Sequence, residues 1–136
     1  MGMSLYLRNL TVNLLLGRVG SPYTAPATVY VALFTTMPGV DDTGGVEVTG
    51  FSYARVSVAN NTTNWGTVTN GTKLNLTAIT FPSPSGSWGN VVGFGIYDAS
   101  SAGNLLCSGT FAAAFPVSTA GQTVRFAANR LTVVTA

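Results

Sequence analysis

The residues that most often perform acid–base chemistry are scarce in this chain. Its 136 residues include four carboxylates, Asp41, Asp42, Glu47 and Asp98, and no histidine. A serine nucleophile needs a neighbouring base, and acid–base hydrolysis needs two carboxylates held at a defined separation. The candidate carboxylates lie in loops, and no second member of a catalytic pair is evident. We therefore expect no catalytic residues and no enzymatic activity.

Metal and cofactor sites find equally little support. The segment MPGVDDTGG contains Asp41 and Asp42, but its spacing does not match a calcium-binding loop. The single cysteine, Cys107, cannot form an intramolecular disulfide and is typical of a small buried apolar residue. The glycines of VVGFGIYD are followed by more strand, whereas a phosphate loop needs a helix there. We expect no metal and no cofactor, and we interpret the aspartates as turn residues.

Aromatic side chains are the remaining candidates for ligand binding: Tyr23, Tyr53, Trp65, Trp88 and Tyr97. Trp65 and Trp88 each precede a glycine in a loop-like segment, NNTTNWGTVTNG and PSGSWGNVVG. Aromatic rings of this kind stack on sugars in carbohydrate-binding proteins, so both tryptophans are candidate ligand contacts. The alternative is that both rings cover the ends of a β-sandwich. The sequence leaves these two interpretations open.

Charged residues make up only 7% of the chain, against about 25% in a typical soluble domain. Either Ser, Thr and Asn provide the polar surface, or partner subunits cover much of it. The six basic residues are scattered and form no basic patch, which argues against nucleic-acid binding. No segment has the length of a membrane helix or the pattern of a signal peptide. We therefore expect a protein made in the cytoplasm, with no membrane insertion.

Residues 1–20 predict an N-terminal helix. The helix is expected from Ser4, which is a suitable N-cap, to Leu16, with Gly17 as its stop. A single helix of this length is marginally stable alone, so it must pack on its own sheet or on a neighbouring protein. We expect it to be a docking arm. Three leucines near one stripe of the helix are candidate interface residues: Leu7, Leu10 and Leu14.

Residues 21–136 predict a single β-domain. Short runs typical of strands alternate with turn signals such as Pro38-Gly39 and Asn70-Gly71. The pattern indicates an all-β fold, an antiparallel β-sandwich that we expect to be jelly-roll-like with seven to eight strands. The predicted strands are Thr28–Thr35, Val46–Val58, Lys73–Phe81, Val91–Asp98, Asn104–Ala112, Thr123–Ala127 and Leu131–Val134.

The first of these strands has no polar face. Its core, TVYVALF, directs two valines and a leucine to one side and Tyr30, Ala32 and Phe34 to the other. An outer strand of a small protein usually shows water on one face. We therefore expect the helix or a neighbouring subunit to cover the second face, and Tyr30 and Phe34 are candidate interface residues.

Two other strands show informative alternation. In the predicted strand Val46–Val58, Arg55 and Ser57 point away from the apolar residues that alternate with them. In Val91–Asp98, Gly93 and Gly95 form a flat strip that another backbone or an aromatic ring can approach closely. The covering group is again expected to be the chain's own helix or a second subunit.

Four stretches are distinctive enough to compare with known families. They are YTAPATVYVALFTTMPG, GGVEVTGFSYARVSV, ITFPSPSGSWGNVVGFGIYDASSAGNLLCSG and VRFAANRLTV, in that order. Together they resemble a family of small tailed-phage proteins commonly labelled phage tail fibre proteins, from about Leu5 to Val134. The resemblance implies a structural protein of the virion, and it supplies no catalytic residues. It also implies threefold assembly, which is frequent among phage fibres and capsid decorations.

Residue patterns and resemblance together favour a structural subunit of a phage virion, made in the host cytoplasm and assembled as a homotrimer. The first hypothesis is a tail fibre or fibre-associated protein. Its helix would dock on other virion proteins, and its far loops, with Trp65, Trp88 or the Asp41–Asp42 turn, would contact a host-surface glycan or receptor. One alternative is a capsid decoration (cement) or head-fibre protein that clamps neighbouring capsid subunits. Another is a carbohydrate-binding module, which requires an exposed Trp65 or Trp88.

Overall fold

This computed structural model of the chain describes residues 2–17 and 24–135, so the candidate Tyr23 lies outside the described residues. One helix, α1 (Leu5–Leu15), precedes nine strands in these segments. The all-β antiparallel fold with one N-terminal helix is confirmed. The strands are β1 (Thr28–Thr36), β2 (Val46–Glu47), β3 (Val56–Ala59), β4 (Thr72–Leu74), β5 (Ile79–Thr80), β6 (Gly89–Tyr97), β7 (Leu105–Val117), β8 (Arg125–Phe126) and β9 (Thr132–Val134).

Helix α1 begins where the sequence predicts, because Ser4 caps it. The Ser4 hydroxyl accepts a hydrogen bond from the backbone N–H of Leu7 at 3.1 Å, which satisfies one free donor of the first turn. Just before the helix, Met3 forms an antiparallel bridge with Cys107 of β7, and the Ser4 N–H donates to the Leu106 carbonyl at 2.8 Å. The start of the helix is therefore fixed to the edge of a sheet.

That sheet has five antiparallel strands and β1 at its centre. Strand β6 pairs with one edge of β1, and β7 pairs with β6. The other edge of β1 is shared by two strands, with Glu47 of β2 opposite Phe34 and Val56 of β3 opposite Val31. Strand β1 is therefore paired along both edges, and between β2 and β3 its Leu33 N–H donates to the Tyr53 hydroxyl.

The predicted strand Val46–Val58 is interrupted in the structure. The residues Gly50–Ser52 have φ values of +74°, +50° and +67°, which a strand cannot accommodate. Val48 still donates its N–H to β1, but residues 49–55 leave the sheet before β3 resumes the pairing. Strands β2 and β3 are thus two parts of one edge strand separated by an excursion.

The predicted strand Lys73–Phe81 is also divided, into β4 and β5, because Asn75 turns inward. Its side chain is 1% exposed and is hydrogen-bonded on both its nitrogen and its oxygen. These bonds tie Asn75 to the segment that connects β8 and β9. The amide nitrogen donates to the carbonyls of Thr77 and Ala127, and the amide oxygen accepts from the N–H groups of Arg130 and Leu131.

The apolar core lies between the five-stranded sheet and two short ladders, β4–β9 and β5–β8. Val31 and Leu33 of β1 pack toward residues of the ladder side such as Ile79 and Leu131, and all four are at most 2% exposed. A jelly roll has a full second sheet, whereas this second layer consists of two-stranded ladders. The more specific jelly-roll assignment is therefore not confirmed.

The second face of β1 is covered by the chain itself. Phe34 is 3% exposed, and its ring stacks on Tyr97 with centroids 6.3 Å apart. Leu105 and Met37 complete this small cluster. The loop after β1, residues 37–45, is held over the face by a hydrogen bond to Tyr97. Neither of the coverings expected from the sequence, the helix or a neighbouring subunit, is needed to bury Phe34.

The glycine strip of β6 is filled in the same way, and this generates a stability prediction. A Cβ atom on Gly95 would lie 2.8 Å from Cε2 of Phe34 and 3.1 Å from Cδ1 of Leu105. We expect Gly95→Ala to lower the free energy of unfolding by about 1–3 kcal/mol in chemical denaturation, since overpacking displaces these side chains. The control is Gly66→Ala, whose Cβ would meet its nearest neighbour at 3.4 Å. Equal losses in the two variants would contradict the steric explanation.

Candidate interaction surfaces

Arg55 is the centre of a largely buried polar network that joins three segments. Its side chain is 7% exposed and forms a two-point ion pair with Glu47, Nε to Oε2 at 3.0 Å and Nη2 to Oε1 at 2.8 Å. Its Nη1 donates to the carbonyls of Ala99 and Ala102, both at 2.9 Å. The guanidinium carbon also lies 3.8 Å from the ring centroid of Tyr97. Arg55 therefore links β2 to the β6–β7 hairpin and uses the planar fork that lysine lacks.

Two tyrosines extend this network into the sheet and the loops. The Tyr53 hydroxyl donates to Glu47 Oε2 at 2.8 Å and accepts from the backbone N–H of Leu33 at 3.0 Å. The Tyr97 hydroxyl donates to Asp42 Oδ1 at 2.8 Å. Tyr53 thereby fixes the end of the 49–55 excursion to β1, and Tyr97 fixes the 37–45 loop.

The surroundings of Tyr53, Tyr97 and Arg55 shift the pKa of each of these side chains. Burial raises the pKa of both Tyr53 and Tyr97 above the usual tyrosine value of about 10, and the neighbouring carboxylates raise it further. Burial lowers the pKa of Arg55, but its hydrogen bonds to Glu47 and the charge of Glu47 raise it overall. At neutral pH both tyrosines are therefore neutral donors and Arg55 is cationic.

All four carboxylates of the chain are engaged by neighbouring groups. Besides Glu47 and Asp42, Asp41 accepts from the Thr43 hydroxyl at 2.7 Å, and this bond lowers the Asp41 pKa. Asp98 accepts from the backbone N–H and the side-chain amide of Asn104, at 2.7 and 2.9 Å. Within residues 2–17 and 24–135, no group of three or more potential ligands is placed to hold a metal ion. The carboxylates thus stabilise turns and the Arg55 network.

Neither candidate tryptophan presents a ring face to solvent. Trp65 is 7% exposed and Trp88 is 5% exposed, and both belong to the apolar core. The Trp88 indole N–H donates to the carbonyl of Phe51 at 3.0 Å, and its ring packs edge-on against Tyr53 with centroids 5.4 Å apart. Sugar stacking requires an exposed ring, so these two residues do not supply the binding platform that the carbohydrate-module hypothesis requires.

The five candidate interface residues occupy different environments. Phe34 is buried within its own chain, Tyr30 is half-buried beside it, and Leu7 packs against the core. Leu10 is half-buried, whereas Leu14 is 54% exposed. Of these five, only Leu14 presents most of its side chain as free surface.

Leu14 belongs to a larger apolar surface at the end of α1, which we call the helix patch. Its members are 54%, 54%, 74% and 82% exposed, and no helix residue between Leu5 and Leu15 is fully buried. A contiguous apolar group of this kind on a small protein is typical of an interaction site. The helix patch consists of Val12, Leu14, Leu15 and Leu16.

The molecule has two ends, separated by the length of β6. From Gly89 to Tyr97 this strand spans about 26 Å. The proximal end contains α1, the β6–β7 hairpin and the middle of the 37–45 loop, since the Leu5 N–H donates to the Val40 carbonyl. The Asp41–Asp42 turn, expected among the far loops, therefore lies beside the helix. The distal end comprises residues 50–53, 82–89 and 116–121, which are hydrogen-bonded to one another.

Phe51 is the feature of the distal end that sequence analysis missed. Its side chain is 57% exposed, and its φ of +50° is rare for a bulky residue. The ring rests on Gly86, where an added Cβ would lie 2.5 Å from Phe51 Cδ1. The preceding Gly50 was the available signal, because it marks a turn within an otherwise strand-like run.

A protein-family profile described as podophage GP4 fiber I protein gp80 matches residues 2–134. The chain belongs to this family of phage fibre proteins. The resemblance stated from the four stretches is thereby confirmed, and the protein is a fibre-type structural protein of a phage virion. No curated protein matches the chain. In the described segments of this fibre protein, no helix is long and apolar enough to cross a membrane.

In this fibre protein, the stretches that carry the family resemblance supply the internal network rather than a ligand site. Glu47, Tyr53 and Arg55 come from GGVEVTGFSYARVSV, and Tyr97 comes from the stretch that contains FGIYDA. These residues have partners within their own chain. Exposed apolar side chains are found elsewhere in the described segments, including the helix patch and Phe51 at the distal end.

Removing Arg55 should destabilise the fold strongly. Arg55→Met leaves the Glu47 carboxylate partly buried without its cation, and we expect a loss of about 3–5 kcal/mol in the free energy of unfolding. Arg55→Lys retains the charge without the two-point geometry and should lose less. The control is Arg8→Met on the exposed side of α1, with a change below about 0.5 kcal/mol. Chemical denaturation measures all three variants, and a loss for Arg55→Met as small as the control would contradict the central role of Arg55.

The tyrosine environment predicts a loss of stability at alkaline pH. The folded-state pKa values of Tyr53 and Tyr97 are raised, so their contribution is fully present below pH about 10. Above that pH the unfolded chain ionises first, and stability falls as pH rises. Melting temperatures between pH 8 and 11 should show this decline. Tyr97→Phe should flatten it, and an unchanged slope in that variant would show that Tyr97 is not responsible.

Proposed function

We propose that this fibre protein is a non-enzymatic subunit that assembles as a homotrimer, docks on other virion proteins through α1, and contacts the host surface with its distal end. The observation that carries this proposal is the helix patch. It includes three consecutive highly exposed leucines, Leu14, Leu15 and Leu16, at the end of α1, and the other end of this helix is fixed to the sheet.

The helix patch has the properties of an anchoring surface. Leu15 and Leu16 are 74% and 82% exposed, although burying each leucine would contribute about 1.5–3 kcal/mol. The hydrogen bonds of residues 2–4 to β7 hold the base of the helix, so that a docked helix would position the whole β-domain. A partner that covers this patch gains apolar burial at little cost in ordering the base of the helix.

The distal end supports a contact role because it combines an exposed aromatic ring with a constrained backbone. Phe51 retains a φ of +50°, which costs energy for a residue with a bulky side chain. The Phe51 carbonyl accepts hydrogen bonds from the Trp88 indole and from the Ser85 N–H at 3.0 Å, and these hold the turn rigid. A rigid exposed ring loses little conformational entropy on binding, which is the property that favours aromatic residues at interfaces.

Threefold assembly is what the resemblance to phage fibre proteins implies, and the composition of the surface supports it. The whole chain has ten charged residues, and two of them, Glu47 and Arg55, form an ion pair with each other inside the fold. A surface with so little charge is suited to burial against other subunits. Mass determination by light scattering tests the trimer directly, and a monomer at all accessible concentrations would contradict it.

Substitutions in the helix patch should prevent incorporation without unfolding the protein. Val12→Gln combined with Leu14→Gln keeps a helix-forming residue at each position while removing apolar surface at two positions that are both 54% exposed. We expect at least a tenfold loss of incorporation into particles, measured by quantitative mass spectrometry, with an unchanged melting temperature. The matched control is Val46→Gln combined with Val68→Gln, at positions 53% and 51% exposed outside the helix. Normal incorporation of the helix variant would overturn the docking role.

The same mass spectrometry gives the copy number relative to the major capsid protein. A handful of copies per particle is expected for a fibre component. Hundreds of copies would instead indicate a capsid decoration and would overturn the proposed location.

The distal contact has its own test, Phe51→Asn. Asparagine tolerates a left-handed backbone better than phenylalanine, so this variant should fold normally while losing the aromatic ring. We expect particles that carry it to adsorb to host cells at least tenfold more slowly. Val68→Asn, an exposed residue outside the distal end, serves as the control. Unchanged adsorption with Phe51→Asn would exclude this ring as the contact.

A further inference from the structure

A second apolar feature lies beside β7, far along the strand from the helix. It is a cavity of about 380 Å³ with a floor of buried aliphatic side chains and walls that include three phenylalanines. Arg125 and Thr123 are the polar side chains in its lining. We call it the β7 cavity, and its apolar lining includes Leu33, Val91, Val124, Phe111, Phe115 and Phe126.

The β7 cavity exists because β7 bulges away from β6. Val91 pairs with Phe115, but Gly93, two residues further along β6, pairs with Thr110, so β7 uses five residues where β6 uses two. Residues 111–114 of β7 stand opposite a single residue of β6, so three residues are surplus and form an irregular bulge. Residues 112–115, the run AAAF, are exposed, with Phe115 at 41%, and Ala113 and Phe115 belong to the lining of the cavity. Such an exposed apolar run on a strand is unusual unless a partner covers it.

The chemistry of the lining indicates what the cavity accepts. The apolar walls favour an apolar side chain in the cavity, and the exposed guanidinium of Arg125 favours a group with negative charge beside it. The last turn of an α-helix provides both, because its carbonyl groups carry a partial negative charge. The end of α1 has this combination, with Leu15 and Leu16 highly exposed and no acidic or basic side chain in its final turn.

Within one copy the two features face different regions of the molecule. Ser108 donates its N–H to the Gly2 carbonyl and the Ser4 N–H donates to Leu106, so residues 2–4 run along β7 away from the bulge before α1 starts. Cys107 and Phe115 pair with Ile96 and Val91, which are five residues apart on β6, a distance of about 17 Å. No residue of α1 lines the cavity among the described residues.

We propose that the C-terminal turn of α1 from one copy inserts into the β7 cavity of a second copy, with Leu15 and Leu16 against the phenylalanines and Arg125 beside the last helix carbonyls. The contact joins two different surfaces, so it is heterologous and closes into a ring or propagates along a fibre. This inference rests on the proposed self-assembly and specifies the surface that forms it. In the assembled protein, Leu15 and Leu16 are then buried by the neighbouring copy, and Val12 and Leu14 remain as the part of the helix patch that docks on other virion proteins.

Mixed cysteine variants test this contact directly. Leu16→Cys and Ala113→Cys are made in separate chains, each in a Cys107→Ala background, and co-expressed with tags of different size. Under mild oxidation we expect the mixed disulfide at a yield at least tenfold above that of a control pair, Val68→Cys with Ala113→Cys. The positions Leu16 and Val68 are both exposed, so folding should be retained in each variant.

The other outcomes are equally decisive. Disulfides only between two Leu16→Cys chains would indicate a helix bundle. Disulfides only between two Ala113→Cys chains would indicate pairing of sheet edges. Either result overturns the helix-to-cavity contact while leaving self-assembly intact. Oligomers without any enriched disulfide also overturn it. A protein that light scattering shows to be monomeric would overturn the proposed trimer as well.

Arg125 provides a second, independent readout. Arg125→Glu should weaken self-association at least tenfold, because it sets a negative charge against the helix carbonyls, whereas Arg125→Lys should retain association. The side chain is exposed, so both variants should fold. Tighter association of Arg125→Glu would contradict the proposed orientation of the helix.

Discussion

The ion pair between Arg55 and Glu47 is the interaction on which the arrangement of the loops depends. An isolated surface ion pair contributes little, but this one is two-pronged, largely buried and hydrogen-bonded on its remaining donors. Its partners come from β2, from the end of the 49–55 excursion and from the β6–β7 hairpin, which are distant in sequence. Tyr97 then connects the network to the 37–45 loop. One cluster of side chains therefore holds both the 49–55 excursion and the 37–45 loop in place.

Only 7% of the residues of this chain are charged, and several of them form contacts inside the fold rather than with solvent. Its four carboxylates accept hydrogen bonds in turns and in the Arg55 network, and these bonds hold the neighbouring backbone segments in place. Solvent-facing surface is left to Ser, Thr and Asn and to apolar side chains. For a fibre subunit the consequence is that recognition depends on apolar area and shape rather than on long-range charge steering.

Two exposed apolar surfaces lie where a regular element ends or is interrupted. The helix patch lies at the C-terminal end of α1, and Ala112, Ala113 and Ala114 of the AAAF run have no partner on β6. Phe51 likewise occupies an excursion of an edge strand. Regular pairing of the five-stranded sheet supplies the rigid frame, and departures from that pairing create the surfaces on which function can act.

The sequence by itself determined the local elements of this protein. Ser4 and the leucine pattern predicted the helix to within a residue, and the turn residues and β-branched runs predicted an antiparallel all-β chain, because capping and alternation are local properties. Only the tertiary structure decided the rest. Alternation indicated that Arg55 points away from the apolar residues, but it could not show that Glu47 and Tyr97 meet it there. Asn75 divides a predicted strand through bonds to residues more than fifty positions away, and the tryptophans are buried by segments that no local pattern connects. Long-range contacts of this kind depend on how the strands are ordered in space, which residue spacing alone does not encode.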